Sequence, residues 1–589
     1  MSIHIIGNGL VSAVCDGASI IQAFGPTYSS PNAFRLDAGD GWKTERLFPG
    51  AFRSTRDGVT VIDGAGYFAA CTLARRIIGR TTMTLSTDQP LFPVPASIAP
   101  DSYMSECHAG QVVYAYEFEN GAPHGYVSAQ KRYFGLRLVG DLTLTPDGDK
   151  WKLEGEGSIL FAFDAVPDHL FEVLEEAGRF NDAYFPPFED CVFDTGDVLS
   201  GLTPARQAYM KQILDVYDTI KGQQSETGGV LAGYNYHLCY LRDNYGVYRG
   251  LREMGAHRAA DRLAQYYIAI YARYGLIHNA QGPDEYAFHV HENDNVEITA
   301  YFALILCDYL RRNPSASDRA DALRGIGWAL NCQHLSLTDG MLPFNGDETY
   351  IAGGLLSRAC MNDGSMEATA LYHKALCEVQ ALTALYPGFV PSDFVDEDRR
   401  LIETTFREHF FVDDRWVCNC PGLPAPAYRH GVRACGHGFG LAFRNENGDY
   451  VCHDCLDKHL PPIWQGGGQR FAVPAAILCP SFIDSPLIPA TERVKAALAV
   501  LDACETAGCG TGYDLGFILW TLCEPEVLAD PDIREKALSV REKLLSMADE
   551  FGAYSEYFRD GFTTQAGTLC RPWESGIDIA AILRSADVL

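Results

Sequence analysis

The sequence predicts a multidomain protein in which an N-terminal antiparallel β-sandwich precedes an all-α domain. Residues 111–119 and 131–145 are rich in β-branched and aromatic residues, and turn signals follow them at Asn120-Gly and Pro146-Asp-Gly. From about residue 203, apolar residues instead recur at spacings of three and four, with few internal prolines. Short strands at close spacing favour a sandwich, and the later periodicity favours a long series of helices.

We place the β-sandwich domain at residues 1–195 and the helical domain at residues 203–589. Gly282-Pro-Asp-Glu285-Tyr and Gly346-Asp-Glu348-Thr-Tyr form a half-repeat in the second domain, about one helical-hairpin period apart. Stacked hairpins of this kind form either an open solenoid or a closed toroid, and long loops at one end are expected to hold a site. The helical patterns are at 203–220, 244–255, 257–274, 296–312, 318–335, 365–385, 397–410, 490–506, 513–524 and 533–550.

Composition limits the classes of function. The 589 residues are 47% hydrophobic and 21% charged, which is typical of a globular protein with a large core. The formal net charge of −29 argues against nucleic acid and anionic membranes as partners, because both need clustered Lys and Arg. The first residues do not form a signal peptide, and no run approaches the roughly 20 apolar residues of a membrane helix. Nineteen cysteines, many in apolar helical runs, suit reduced buried thiols, so we expect a cytoplasmic protein.

A cysteine-rich insert spans residues 416–460. It contains two cysteine groups on either side of a hairpin pattern with an Asn-Gly turn, and a further cysteine pair at its start. Zinc binds thiolates and imidazoles tetrahedrally and can stabilise a segment that has little core of its own. We therefore expect a zinc-ribbon-like insert with one structural zinc; the alternative is a loop of unliganded cysteines. The four ligands are expected from Cys418, Cys420, Cys435, Cys452 and Cys455, with His437 as a substitute.

Two acidic segments carry the candidate chemistry. Glu348 and Glu556 each lie among aromatic and small residues, ahead of an apolar helix. Glycosidic bonds are broken by two such carboxyl groups, one of which donates a proton while the other activates water. Glu348 is the general-acid candidate, because the adjacent Asp347 and Tyr350 can raise its pKa. Glu556 is the general-base candidate, and its alternative, Glu574, also suits a role at the N-terminus of the final helix.

Further residues are candidates for sugar binding. Tyr240, Arg242 and Asp243 combine an aromatic ring with a charge pair, which can stack on a sugar face and hydrogen-bond its hydroxyls. The alternative for Asp243 is a helix cap. No cofactor is expected to take part in catalysis. The remaining substrate-binding candidates are Asp284, Glu285, His289, Asp347, Tyr350, Arg559 and Trp573.

The order of these motifs resembles the glucoamylase-type glycoside hydrolases. The resemblance rests on Arg242-Asp243 after aromatic residues, Asp347-Glu348, and Glu556 ahead of Ser575-Gly-Ile-Asp-Ile-Ala; Ile6-Gly-Asn-Gly-Leu-Val also resembles the start of the family's bacterial sandwich domain. It implies an (α/α)6 toroid behind a β-sandwich, with Glu348 as acid, Glu556 as base and inversion at the anomeric carbon. It also implies that Arg242 and Asp243 hold the terminal sugar. The cysteine-rich insert departs from the family, as does the lack of a Trp ahead of the acid pair.

The sequence-based hypothesis is an inverting, exo-acting hydrolase of an α-linked glucose-type saccharide or glycoside. One alternative is a disaccharide phosphorylase, in which phosphate replaces water and Arg559 or Arg571 supplies positive charge. Gly282-Pro-Asp-Glu285-Tyr resembles the acid motif of maltose and kojibiose phosphorylases, although it falls one hairpin early. A second alternative is a non-catalytic carbohydrate-binding or scaffold protein. Such a protein would be expected to lose one of the two carboxylates, and both are present.

Overall fold

The structure is a computed structural model, and it describes most of the chain with internal gaps. The candidates Asp284, Glu285, His289, Asp347, Glu348 and Tyr350 lie outside the described residues, as do Cys435 and Cys455. The described ranges are 3–25, 33–48, 50–65, 72–87, 92–94, 113–120, 130–164, 198, 202–234, 238–277, 280–283, 298–343, 363–389, 393–421, 428–430, 441–444, 450–452, 470 and 472–589.

The described part of the first domain forms a single antiparallel network of thirteen strands. The main path runs β1-β2-β3-β4-β8-β13-β11-β10-β9, while β7 joins β8 and leads through β6 to β5, and β12 pairs with β13. The β-structure predicted for the first third is therefore confirmed. The strands are β1 (Ile3–Gly7), β2 (Ser12–Asp16), β3 (Ser19–Phe24), β4 (Phe34–Asp37), β5 (Lys43–Phe48), β6 (Ala51–Arg56), β7 (Val59–Ala65), β8 (Thr72–Thr87), β9 (Phe92–Val94), β10 (Val113–Asn120), β11 (Gln130–Gly140), β12 (Thr143–Asp147) and β13 (Lys150–Asp164).

The long strands β8 and β13 join the two branches of this network. The first half of β8 pairs with β7 and its last four residues pair with β4, while β13 pairs along both halves. Gly155 and Gly157 form a bulge in β13, where both have positive φ and an added Cβ would clash with a backbone carbonyl of the neighbouring segment. An apolar core that includes stacked Phe34 and Phe161 rings, 4.3 Å apart, holds the branches together.

From residue 204 the described chain is mainly helical, as predicted. The predicted helix at 203–220 is interrupted after a single turn at Pro204–Gln207, and the helix at Pro474–Phe482 was not predicted because it is short and has Pro480 inside it. The longer helices are α1 (Met210–Lys221), α2 (Leu241–Glu253), α3 (His257–Tyr274), α4 (Ile298–Arg312), α5 (Arg319–Ser336), α6 (Met366–Leu382), α7 (Phe394–Phe410), α8 (Pro474–Phe482), α9 (Ala490–Ala507), α10 (Asp514–Leu522), α11 (Pro531–Met547) and α12 (Pro572–Val588).

Local sequence explains several helix ends. The Ser365 side chain accepts a hydrogen bond from the Ala368 amide at 3.1 Å and so caps the N-terminus of α6. Gly275 ends α3 and Gly508 ends α9, each with the positive φ that a left-handed C-terminal residue requires. The local sequence thus accounts for where α6 begins and for where α3 and α9 end.

The even-numbered helices form an inner series. Helix α2 packs on α4, α4 on α6, α6 on α8, α8 on α10 and α10 on α12, and α12 packs back on α2. Helices α3, α5, α9 and α11 each pack against both even-numbered neighbours in the chain, while α7 packs on α6 and α1 packs on α12, so the odd-numbered helices flank this series. The contacts thus return to the helix at which the series starts, and we call this closed series the ring.

Helices α2 and α12 approach each other closely because glycines line their contact. A Cβ added to Gly250 would lie 2.5 Å from the carbonyl oxygen of Gly576, and one added to Gly576 would lie 2.8 Å from that of Gly246. Such distances are too short for a side chain, so the two backbones touch directly. This contact holds the N-terminal turns of α2 and α12 side by side.

The sheet contacts the helical domain through α1 and the segment before α12. Arg46 of β5 pairs with Asp215 and, at 2.9 Å, with Asp218 of α1. The Arg46 guanidinium also donates to the Phe551 carbonyl at 3.2 Å, and the His4 ring lies 5.3 Å from the Phe551 ring. The sheet therefore contacts the connection that carries the general-base candidate.

Two expectations from the sequence, on membrane helices and on cysteines, can be compared with the described residues. Among them, no helix is long and apolar enough to cross a membrane. Eight of the twelve cysteines whose side chains are described are buried, which agrees with the prediction of thiols in apolar surroundings.

Candidate active site

The N-terminal turns of several inner helices lie together at one end of the helical domain. The ring of Tyr245 in α2 is 4.9 Å from that of Tyr301 in α4, and the Tyr301 hydroxyl donates to Glu367 of α6 at 3.4 Å. Arg571, the residue directly before α12, donates to Asp243 in the first turn of α2 at 3.2 Å. The connections that lead into α2, α4, α6 and α12 therefore end close to one another.

Small β-structures tie these connections together. Residues 344–362, which contain Glu348, leave one short strand and return in its antiparallel partner, so both ends of this segment are held at the same place. The pairings are Cys239–Tyr240 with Ala280–Gln281, Leu342–Pro343 with Asp363–Ser365, Asp363–Ser365 with Asn419–Pro421, Gly510–Thr511 with Tyr557–Arg559, and Tyr557–Arg559 with Thr564–Ala566.

Arg571 joins two buried carboxyl groups. Its Nε donates to Glu574 Oε2 at 3.0 Å, and its Nη2 donates to Asp243 Oδ1 at 3.2 Å. The exposed fractions of Arg571, Glu574 and Asp243 are 4%, 1% and 4%, so this charge cluster is shielded from solvent. Burial raises the pKa of Glu574 to about 7; the Arg571 cation opposes this shift and the Asp243 charge adds to it.

Two arginines lie close to the ring of Trp573. The guanidinium carbon of Arg242 is 5.3 Å from the centre of the Trp573 ring, and that of Arg571 is 5.7 Å from it. The Tyr513 ring is 4.7 Å from Trp573, so the cluster is bounded by aromatic side chains. Cations over an indole face are stabilised by the ring quadrupole, and aromatic rings of this kind can also stack on a sugar.

Glu556 lies directly before the short strand Tyr557–Arg559, in the connection that precedes α12. The Thr568 amide donates to Glu556 Oε2 at 3.1 Å, and the Glu556 amide donates to the Thr568 carbonyl at 2.9 Å. Glu556 is partly exposed. Burial and the Glu556 charge raise the pKa of the adjacent Tyr557, and the same charge contributes to the raised pKa of Arg571. The carboxylate is thus oriented by a backbone amide, close to Arg571 and accessible to water.

Two further carboxyl groups, Asp514 and Asp578, lie beside this cluster. Asp514 accepts a hydrogen bond from the Thr511 amide at 2.9 Å, and burial raises its pKa to about 6. Asp578 in α12 is fully buried, and burial, together with the Glu574 and Asp514 charges, raises its pKa well above the usual range. Sequence reasoning missed both residues, although an acidic residue inside the apolar run of the final helix was a signal for Asp578.

The structure brings together four of the predicted site residues. Arg242, Asp243, Glu556 and Trp573 lie at the same end of the helical domain, around Arg571. Tyr240 directly precedes α2 in a two-residue strand, and Arg559 is exposed on the strand that follows Glu556. The roles of these residues, and of the candidates outside the described ranges, stay predictions.

The predicted zinc ligands are only partly described. Cys418 is buried in the helical core and its Sγ accepts a hydrogen bond from the Val473 amide at 3.1 Å. Cys420 is half-buried, with Arg470 Nη2 3.9 Å from its Sγ. The Cys452 side chain is not described, and two other predicted ligands lie outside the described ranges. Where side chains are described, no three His, Cys, Asp or Glu residues are grouped so that they could hold a metal ion.

Comparisons with known proteins place this geometry in a known fold. No family model matches the chain, and no curated protein does. The chain superposes on bacterial glucoamylase complexed with acarbose with a TM-score of 0.60 and 10% sequence identity, over 99% of this chain and 93% of that one. Weaker superpositions are found with Hormoconis resinae glucoamylase (TM-score 0.43, 12% identity, 65% of this chain and 73% of that one) and with a GH76 α-mannanase of Bacteroides thetaiotaomicron (TM-score 0.38, 10% identity, 64% and 95%). The first superposition spans both domains, and on it the chain has a glucoamylase-like fold.

Proposed function

We propose that the protein is an inverting glycoside hydrolase that removes a terminal glucose-type unit from an α-linked saccharide or glycoside. The observation that carries the proposal is the placement of Glu556. Its carboxylate is oriented by the Thr568 amide at 3.1 Å and is open to solvent, at the end of the helical domain where Asp243 and Trp573 lie. A fixed, accessible carboxylate beside sugar-binding groups suits a general base that activates water.

Glu348 is proposed as the general acid. Chain connectivity supports this role, because its segment starts and ends at the paired strands Leu342–Pro343 and Asp363–Ser365, directly before α6. The N-terminal turns of α6 contact those of α4 at the same end of the domain as Glu556. An inverting pair needs room for water beside the sugar, so we expect the two carboxyl groups to be roughly 6.5–9.5 Å apart.

The ring of inner helices fits an (α/α)6 toroid. Each of its six members is preceded by an outer helix, and a closed ring places every entering connection at one end. Such an arrangement gathers residues from distant parts of the sequence around one pocket. The glucoamylase-like fold supports the same reading, because glycoside hydrolysis occurs in the bacterial glucoamylase that shares it.

The hydrogen bonds and burial of Arg571 favour hydrolysis over phosphorolysis. A phosphorylase needs a cationic pocket near the base, and Arg571 is one of two arginines that the sequence suggested for it. Its guanidinium is already bonded to Asp243 and Glu574 and is buried. The other, Arg559, is exposed on its strand. Water is therefore the proposed nucleophile.

Product analysis tests the proposal. The protein is incubated with a panel of α- and β-linked glucosides, and the first product anomer is read by NMR with and without inorganic phosphate. We expect release of β-glucose from α-glucosides in the absence of phosphate. Release of α-glucose, a requirement for phosphate, or the absence of turnover on the whole panel would contradict the proposal.

A further inference from the structure

We propose that Arg571 is a positioning residue that holds the Asp243 carboxylate for the sugar, and that Glu574 sets how firmly Arg571 does so. The inference rests on the proposed function, because it gives Asp243 a sugar to bind. Arg571 donates to Asp243 Oδ1 at 3.2 Å and to Glu574 Oε2 at 3.0 Å. One cation therefore serves two carboxyl groups, of which only Asp243 is a candidate for contact with substrate.

The guanidinium has little room to move away from these partners. A Cβ added to Gly233 would lie 3.2 Å from Arg571 Cδ and 3.3 Å from its Nη1, so the loop before α2 packs directly on the side chain. On the other side, the guanidinium carbon lies 5.7 Å from the Trp573 ring centre. The backbone contact between Gly246 and Gly576 also keeps α2 and α12 at a constant separation. What can change is how the guanidinium is shared between Asp243 and Glu574.

Protonation of Glu574 changes that sharing. When Glu574 is neutral, it no longer competes with Asp243 for the positive charge of Arg571; when Glu574 is ionised, the two carboxylates compete for it. Burial raises the pKa of Glu574 to about 7, so the change falls near neutral pH. Several charged and titratable groups surround Glu574. They are Arg571 directly before α12, Asp578 within α12, Asp243 on α2, Tyr513 and Asp514 at the start of α10, Arg242 near the Tyr513 ring, and Glu556 and Tyr557 in the connection before α12.

The expected consequence is a pH-dependent affinity for sugar. Below about pH 7, Asp243 is held by Arg571, and binding is tight. Above it, the hold on Asp243 weakens, and we expect the dissociation constant and KM to rise about three- to tenfold, which corresponds to a coupling of one-half to one pKa unit. Coupling is reciprocal, so a bound sugar must raise the pKa of Glu574 and draw a proton from solution near pH 7. The kcat is expected to change less, because Glu574 takes no part in proton transfer to the substrate.

Calorimetric titration with acarbose, a glucoamylase ligand, tests this coupling. Binding is measured from pH 5.5 to 8.5 in buffers of different ionisation enthalpy for wild type, Glu574→Gln and the control Glu524→Gln. Glu524 is also a buried glutamate with a raised pKa, paired with Arg493 at 2.8 Å, but it lies at the opposite end of α10. Wild type and the control should lose affinity above pH 7 and take up protons on binding. Glu574→Gln should bind tightly at every pH without proton uptake.

Other outcomes would contradict either the positioning role or the proposed function. A Glu574→Gln protein that keeps the wild-type pH dependence, or that loses kcat without a change in the pH profile of KM, would overturn the positioning role. If acarbose and maltose bind wild type at no pH, the proposed function fails. The coupling is then tested by tryptophan fluorescence. A transition near pH 7 that vanishes in both Glu574→Gln and Trp573→Phe supports a titrating group beside Arg571, and its absence from wild type overturns it.

Discussion

Arg571 Nη2 and Asp243 Oδ1 lie 3.2 Å apart although 328 residues separate them in the sequence. The hydrogen bond joins the residue directly before the last inner helix to the first turn of the first inner helix. It therefore closes the ring at the end where Glu556 and Trp573 lie. The stability of the ring closure and the geometry of the candidate site depend on the same pair of side chains.

Glu556→Gln should abolish most of the turnover and leave the fold unchanged. The amide cannot accept a proton from water, and general-base steps typically contribute about 10²- to 10⁴-fold, so a loss of roughly that size in kcat is expected. The control is Glu550→Gln, the same substitution at an exposed position in the same connection. Turnover is measured on maltose and the fold by circular dichroism. Near wild-type kcat in the first variant would remove Glu556 from the mechanism, and azide rescue that yields the opposite glycosyl azide anomer would support its role.

Glu348→Gln should impair substrates with poor leaving groups most. A general acid assists departure of the leaving group, so turnover of maltose is expected to fall about 10²- to 10⁴-fold, while α-glucosyl fluoride is affected much less. The control is Glu285→Gln in the related Gly-Pro-Asp-Glu segment. We expect this control to change both substrates to the same degree. A leaving-group dependence seen at Glu285 in place of Glu348 would reverse the assignment of the acid.

The sequence predicted helices well where periodicity is long and uninterrupted. Helix α3 begins and ends at the predicted residues, because its apolar spacing is regular and Gly275 terminates it. Helix α8 was missed, since it has nine residues and Pro480 lies within it. At the site, Asp243 and Glu556 could be selected from local pattern. The role of Arg571 could not, because it depends on a partner 328 residues away and on burial that local sequence does not reveal.

Arg46→Ala should destabilise the contact between the sheet and α1, and more so at high pH. Burial raises the pKa of Asp218 to about 6 and Arg46 lowers it, so loss of Arg46 raises this pKa further above the unfolded value. The stability of the variant is then highest at low pH, where Asp218 is protonated, and falls as pH rises through the folded pKa. We expect a loss of about 3–5 kcal/mol in the free energy of unfolding at pH 8 and a smaller loss at pH 5.

The control for Arg46→Ala is Arg53→Ala on the adjacent strand. Arg53 pairs with Glu45, and both side chains are about half exposed, so the expected loss is below about 1 kcal/mol at either pH. Both variants are measured by chemical denaturation. Equal losses for the two arginines, or a loss at Arg46 that does not depend on pH, would show that the Arg46 pairs do not hold the domains together.

Gly250→Ala should separate α2 from α12. Its Cβ would lie 2.5 Å from the Gly576 carbonyl oxygen, and backbone atoms cannot rotate away as a side chain can. Overpacking of this kind costs about 1–3 kcal/mol in the free energy of unfolding, and KM should rise because Asp243 is carried on α2. The control is Gly327→Ala in α5, where an added Cβ meets nothing within 4 Å and should stabilise the helix by about 0.5–1 kcal/mol. A neutral effect at Gly250 would contradict the direct backbone contact.

The last prediction concerns the metal of the cysteine-rich insert. The thiol of Cys418 packs in the helical core, and its sulfur accepts a hydrogen bond from the Val473 amide, so its geometry suits packing better than zinc ligation. Cys420 is the middle residue of a short strand and lies beside Arg470, and Cys452, which pairs with Ala442, ends a hairpin strand. We therefore expect zinc to be bound by Cys420 and Cys452, together with Cys435 and Cys455.

Metal analysis of the tag-free, reduced protein checks this ligand set. Wild type should contain about one zinc per chain, and Cys420→Ser or Cys452→Ser should reduce the content to near zero, because a serine hydroxyl is a poor zinc ligand at neutral pH. Cys418→Ser is the matched control: it buries a hydroxyl in the apolar core and should lower stability while the zinc content stays unchanged. Loss of zinc in this control would restore Cys418 to the ligand set. A zinc content near zero in wild type would leave only the alternative, a loop of unliganded cysteines.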